Sequence, residues 1–407
     1  MTRRTAWHGV LAALALTAAT VPAARAGARE NDAPKRVRGP VTEAITDKDV
    51  EPFGLQVYWK AICVLGEHAK PKGVFPANNV VFVTDTYTRL SCYSAKNGRR
   101  RWITALAEPH QPLFAPAVTK RDVFMVAAGY VIVLDRQYGR ERWRVRLKNI
   151  PAAGPAVSGN YIYVSGADGW LRAFNRTLKR EAWFFNARAP LNIRPVPVGP
   201  KGQPNIFLAA ADRKLYCMST DERKIIWQEE ANAPVVAEPA VVGRHLYIPC
   251  SDYNLYAVDV SQPTPRERLQ WTFRSGSEVL ESPVAIGATI YFPSFKNGFY
   301  AVRRADGKKR WWRETGVRLI AVSRDRCYIL DQTRAILICD KDTGELKGRF
   351  VPPEGYTFIP TNRESDAIYL LSRDGLIICL REKAAIEADK AGEPSDSTGS
   401  DGSSEED

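Results

Sequence analysis

The sequence predicts an all-β fold: one eight-bladed β-propeller of four-stranded antiparallel blades over residues 55–381, its last blade closed by the N-terminal strand. Three observations predict it. Tryptophan recurs at Trp59, Trp102, Trp143, Trp183, Trp227, Trp271 and Trp311, with spacings of 43, 41, 40, 44, 44 and 40 residues. Repeats of that length belong to propellers or helical solenoids. Between the tryptophans the chain runs in short alternating β-branched and aromatic segments, broken by Gly-Asn, Asp-Gly and Tyr-Gly turns, with no helical periodicity. The ends of the array are complementary parts of one unit: Leu55–Ile62 carries Trp59 without preceding strands, and the last unit, 358–380, has three strands and lacks a fourth. Pairing them closes the ring and removes two exposed sheet edges.

The elements follow in chain order. Residues 1–26 read as an export signal: Arg3-Arg4, an apolar stretch over 9–21, then Ala24-Arg25-Ala26 for signal peptidase. Thirteen apolar residues fall short of the roughly 20 that a membrane span needs. The twin arginine leaves the export route open, and no cysteine follows to carry a lipid anchor. Residues 27–54, polar with Pro34, Pro40 and Pro52, read as a flexible leader. Each unit then opens strand A at a proline (Pro76, Pro116, Pro155, Pro195, Pro239, Pro283, Pro360), with Ile320 in that slot of the seventh. Strand B is an apolar run at 80–84, 123–127, 161–165, 206–210, 246–250, 290–294, 327–331 and 367–371. Turns lead to strand C and to strand D with its tryptophan; Gly348 takes the tryptophan place in unit seven. Residues 382–407, rich in Ser, Gly, Asp and Glu, read as a disordered acidic tail.

A motif recurs within the units: Asp-x-x-x-Gly-x-x-x-Trp, complete at Asp135, Gly139 and Trp143. Ser94, Gly98 and Trp102 repeat it with serine first, Arg303, Gly307 and Trp311 with arginine first, and Asp340 to Gly344 keep its first half. This pattern resembles the tryptophan-docking repeat of the PQQ-like β-propellers, a superfamily that includes quinoprotein alcohol dehydrogenases and the BamB-like outer-membrane assembly proteins. The resemblance covers all eight units and implies the fold more specifically than the function. Each indole is expected to cover the neighbouring blade while its N–H finds a backbone acceptor.

Composition bounds the function. Of 407 residues 45% are apolar and 25% charged, which excludes a wholly disordered chain and a polytopic membrane protein. The net charge of +13 divides into +3 on residues 1–26, −7 on residues 382–407 and +17 on the body. Such a field favours an anionic envelope polymer or lipid head groups; a basic surface without a partner is the competing reading. Aromatics suited to base stacking are not interleaved with the basic residues, so nucleic acid is not expected.

Chemistry at a quinone would need two adjacent cysteines and a calcium site. None of Cys63, Cys92, Cys217, Cys250, Cys327, Cys339 and Cys379 adjoins another, and no haem-attachment motif is present. His68, His110 and His245 lack metal-ligand spacing. The expectation is no catalytic residue, no metal and no cofactor, with PQQ and calcium as the alternative. Cys92, Cys217 and Cys379 share the strand C slot that holds Ala173, Ala257 and Ala301 elsewhere, and read as small core residues.

Two candidate surfaces remain on the face shared by D–A connections and B–C turns. Arg194, Glu238, Glu281 and Arg318, just before strand A, point to the central funnel, either as a ligand site or as a belt of ion pairs. The turn tips carry Tyr87, Tyr130, Trp170, Tyr253 and Phe295, either as anchors for a partner or packed on neighbouring loops. On the opposite side, C–D turns and outer strands gather Arg99, Arg100, Arg101, Arg140, Arg142, Arg144, Arg146, Lys148, Lys179, Arg180, Lys308, Lys309 and Arg310. These observations imply an exported, monomeric scaffold in the periplasm or cell envelope, or secreted, that binds an envelope protein. A degenerate quinoprotein oxidoreductase of alcohols or sugars is the alternative.

Overall fold

The computed structural model describes residues 42–66, 68–199 and 205–391. The described strands form eight four-stranded sheets, each a blade whose strands run A, B, C, D from the channel outward. Blade 1 is β2–β5 (71–105), blade 2 β6–β9 (117–146), blade 3 β10–β13 (156–186) and blade 4 β14–β17 (196–230). Blade 5 is β18–β21 (240–274), blade 6 β22–β25 (284–313) and blade 7 β26–β29 (316–350). Blade 8 takes β30–β32 (356–382) from the end of the chain and β1 (Leu55–Ile62) from its beginning. The closing pair is antiparallel and runs from Leu55 opposite Glu382 to Ile62 opposite Leu376.

The strand pattern follows from burial. Inner strands B and C lie between neighbouring sheets, so both their faces need apolar side chains; every residue of β3 (Val80–Asp85) and β31 (Ile368–Ser372) is buried. Outer D strands alternate, as in β9 (Glu141–Arg146), where only Trp143 and Val145 are partly covered. Strand B lies within one residue of its expected position in every blade, from Val80–Asp85 to Ile368–Ser372.

The blades are joined by the tryptophans. Trp59 Nε1 donates to the Ala95 carbonyl at 2.7 Å, Trp102 to Arg136 at 2.9 Å and Trp227 to Val260 at 3.3 Å. Trp271 donates to Arg304 at 3.0 Å and Trp311 to Lys341 at 2.8 Å. Each acceptor begins the C–D connection of the next blade. The motif glycine lies under the same ring: a β-carbon on Gly307 or Gly344 would fall 2.5 or 2.6 Å from Trp271 or Trp311, and those on Gly98 and Gly139 closer still to Trp59 and Trp102. These glycines also have φ of 68–70°, which costs glycine little. The connection facing Trp227 carries Pro263 where the motif has glycine, and two further joints depart from the rule. The turns facing Trp143 and Trp183 carry Lys179 (φ 53°) and Arg223 (φ 57°) in the glycine position. The buried Trp183 indole N–H has no acceptor among the described residues.

The cysteine slot has its own place in this joint. Cys92, Cys217 and Cys379 stand directly opposite Trp102, Trp227 and Trp59 across the C and D strands, where Ala173, Ala257 and Ala301 face Trp183, Trp271 and Trp311. A small side chain there leaves room for the indole.

Two segments expected to be unstructured are not so throughout. The leader ends in a packed strap: α1 (Asp47–Val50) and a 3-10 turn (Glu51–Phe53) precede β1, with Ile45 and Val50 wholly buried. Thr42 N donates to Asp374 at 2.7 Å, and Val57 N to Asp47 at 2.8 Å. The tail begins as a helix: Lys383–Ala391 continues β32, buries Ile386 and places Asp389 2.6 Å from Arg381. Both were misread because the polar residues of a short strap carry no periodicity. The export signal at 1–26, residues 27–41 of the leader and residues 392–407 of the tail lie outside the described residues.

The strap also accounts for the missing tryptophan of blade 7. Phe53 occupies the space over Gly348, 2.9 Å from where a β-carbon would stand, and packs on Phe350 at 5.8 Å between ring centroids. The Phe53 carbonyl accepts from Arg326 at 2.6 Å. An aromatic from outside the blade thus replaces the one absent within it. Phe53→Ala should cost about 2 kcal/mol of stability, less than a fully buried phenylalanine because the ring is half-exposed, read as a lower denaturation midpoint. Arg223→Gly should instead raise stability by about 1 kcal/mol, by removing a side chain from a left-handed position and freeing the Trp183 joint.

Candidate functional site

The D–A connections and B–C turns of all blades meet on one face, and the channel opens there. A cavity of about 430 Å³ at the mouth is lined by Arg194, Glu238, Glu281 and Arg318, among others. The four charges expected at the funnel are therefore brought together, and they pair. Arg194 lies 3.5 Å from Glu238, and Arg318 lies 3.5 Å from Glu281. Arg194 also donates to the Ala115 carbonyl at 3.0 Å, tying the mouth to blade 2. The four thus form two ion pairs, each between adjacent blades.

Arg363 breaks the symmetry. It enters the same cavity from blade 8, roughly across the channel from blades 4 and 5, and has no ion pair among the described residues. The surrounding protein holds its guanidinium below the usual arginine range, Glu238 works against that and Arg194 adds to it. The wall thus carries three cations and two anions. Nothing in the repeat marked Arg363: three residues past the proline slot the other units have Asn79, Thr119, Ser158, Val198, Val242, Ile286 and Ser323, a place of no fixed character against which a charge would stand out.

The five aromatic turn tips divide. Tyr87 packs beside His110 with Arg89 over its ring, and Tyr130 lies under Arg144. Trp170 meets Phe184 edge-on at 5.3 Å and carries Arg172 at 5.7 Å. These three are half-buried, packed as the second of the two readings has it: strand residues next to the turn reach back over the rings. Tyr253 and Phe295 remain 47% and 59% exposed. Tyr253 also has a φ of 72° in a turn position that Gly169 and Gly375 fill in two other blades. Thr88, Arg213 and Arg334 hold the same position with φ of 58–72°, and the Tyr253 carbonyl accepts from Ser275 N at 2.9 Å, so the turn itself asks for this conformation. Val236, 49% exposed, lines the cavity mouth, and Trp312, 41% exposed, donates to the Asn297 carbonyl beside Phe295. Both were missed, since neither stands at a turn tip. Val236, Tyr253, Phe295 and Trp312 all belong to the blade 5 and blade 6 sector.

On the far side the basic residues are exposed as expected, though some are spoken for. Arg142 bridges Asp122 and Asp135, Arg144 pairs with Glu141, and Lys148 lies 3.4 Å from Glu181. No described helix is long and apolar enough to cross a membrane.

Comparison with known families matches residues 56–133 and 127–347 to the family described as outer membrane protein assembly factor BamB. Among solved structures, BamB from Moraxella catarrhalis is similar with a TM-score of 0.62 and 16% identity, over 81% of this chain and 98% of that one. The computationally designed Ika8 protein is similar with a TM-score of 0.62 and 14% identity, over 80% and 99%. At such identities the two structures speak for the fold alone. Comparison with curated proteins finds no match.

A calcium–quinone pair does not suit the donors present. Glu238 and Glu281 are each committed to an arginine, and among the described residues no group of three His, Cys, Asp or Glu stands together. The seven cysteines are buried and free. Cys327 and Cys339 do meet across blade 7, which the comparison of slots between blades did not anticipate. They occupy a hydrogen-bonded position of the ladder, flanked by Lys341 N to Asp325 O and, four residues on, Asp331 N to Ala335 O. Side chains at such a position stand further apart than a disulfide spans. Cys339 instead accepts a hydrogen bond from Cys327, which holds its pKa down.

Burial pushes Cys92 and Cys217 up to about 12 and Cys250 up to about 11. A thiol reagent at neutral pH should therefore leave the native protein almost unlabelled and modify all seven cysteines in denaturant. In the unfolded chain thiols ionise near pH 8.5, whereas these stay protonated in the fold, so the stability they contribute is complete below that pH and is lost as pH climbs toward 12. Denaturation midpoints measured from pH 8 to 11 should fall less steeply in a Cys92→Ala, Cys217→Ala variant.

Proposed function

The chain belongs to the outer membrane protein assembly factor BamB family, and from that membership we propose that it is a non-enzymatic scaffold of the cell envelope, exported by residues 1–26, that seats a protein partner on the D–A/B–C face. The observation that carries the reading is the exposed apolar arc of Val236, Tyr253 and Phe295 beside a mouth whose charges are mostly paired among themselves. Large apolar side chains held at turns above a rigid ring resemble interface anchors: burying them on a partner gains hydrophobic free energy, and the fixed scaffold loses little entropy on binding.

The face is tested by capture. Immobilised protein is exposed to envelope extract, and Tyr253→Ala, Phe295→Ala should lose its captured partner at least tenfold relative to the parent, with an unchanged denaturation midpoint. A variant that retains every partner would remove this face from the proposal. Quinone- and calcium-dependent reduction of a dye with alcohols or sugars would overturn the non-enzymatic part.

A further inference from the structure

We propose that the outer rim of blades 1 to 3 is a docking surface for an anionic lipid bilayer. Between Lys96 and Glu181 the chain has sixteen basic residues against six acidic ones, a net +10 within 86 residues. The fold draws that charge into one arc. The C–D turn of blade 2 is fastened to strand D of blade 1, with Thr104 donating to the Gly139 carbonyl at 2.6 Å and Trp102 to Arg136. Arg142 and Arg176 in turn share Asp122, at 3.0 and 3.3 Å, and join blade 2 to the C–D turn of blade 3.

The arc is not self-neutralised. Arg99, Arg100, Arg101, Arg140, Arg146, Lys179 and Arg180 are exposed and have no ion pair among the described residues. By contrast, most guanidinium groups at the channel mouth face a carboxylate.

A second observation separates a bilayer from a soluble polyanion. The tips of the C–D turns of blades 2 and 3 carry Tyr138 and Leu178, 60% and 58% exposed and bordered by Arg140, Lys179 and Arg180. Arg140 lies 5.9 Å from the Tyr138 ring, which leaves the ring at the surface among cations. Apolar tips standing among basic side chains suit an interface where head groups neutralise the cations and the tips enter the acyl boundary. A hydrated polymer would gain from the cations and nothing from the tips. The rim lies away from the D–A/B–C face, so a protein docked in this way keeps its partner face turned from the membrane.

The full chain is sedimented with vesicles of phosphatidylcholine alone and with about one third phosphatidylglycerol, at about 0.1 M salt, where charges act over about 10 Å. It should bind only the anionic vesicles and be released by high salt. Arg99→Glu, Arg100→Glu, Arg140→Glu should weaken binding more than tenfold, while Lys308→Glu, Lys309→Glu on blade 6 should leave it nearly unchanged. Tyr138→Ser, Leu178→Ser, which keeps every charge, should weaken it about fivefold. Denaturation midpoints confirm that each variant folds. Equal binding by the tip variant would overturn the bilayer and leave a polyanion as the occupant. Binding seen only after deletion of the acidic residues 392–407 would also overturn it, and would make that segment the occupant of the arc.

Discussion

Seven of the eight joints of the ring turn on one contact, an indole laid across the C–D connection of the next blade. Its geometry needs three things at once. The turn must come within van der Waals distance of the ring, which in the regular joints means glycine at a left-handed position. A carbonyl must await the indole N–H, and a small residue on strand C must leave space beneath the ring. Where one requirement lapses the others show the strain, as at Arg223, whose β-carbon accompanies an unsatisfied Trp183 N–H. Where the tryptophan itself is lost, at Gly348, an aromatic is brought from the strap before β1.

That contact also sorts the surface into parts that are constrained and parts that are free. The C–D turns and strand D must serve the joint, but their outward side chains need not, and there the basic arc of blades 1 to 3 accumulates. The B–C turns and D–A connections take no part in docking. They can carry Tyr253, Phe295 and Val236 in the open without weakening the ring. The thiols opposite the tryptophans belong to the joint as well, and burial makes them unreactive rather than catalytic.

The repeat was legible because docking imposes a period. Trp59 to Trp311 spell it out, strand B follows within a residue, and strand A begins just after its proline in blades 2 to 6. The funnel charges were legible too, since Arg194, Glu238, Glu281 and Arg318 hold equivalent or nearly equivalent places in successive units. Features outside the period were not. Arg363 comes from the connection between strands A and B of blade 8, Phe53 from a strap without pattern, and Trp312 and Val236 from between the positions that the repeat marks.

The amino-acid sequence by itself determined the number of blades, the closure by Leu55–Ile62 and the place of each docking side chain, because alternation and spacing are local properties and each blade repeats them. Only the tertiary structure decided which charges pair, which aromatics stay exposed and which cations remain free. Those outcomes depend on distances between residues far apart in the chain. Tyr87 and Tyr253 both stand at B–C turns, yet one is covered by Arg89 and His110 while the other faces solvent.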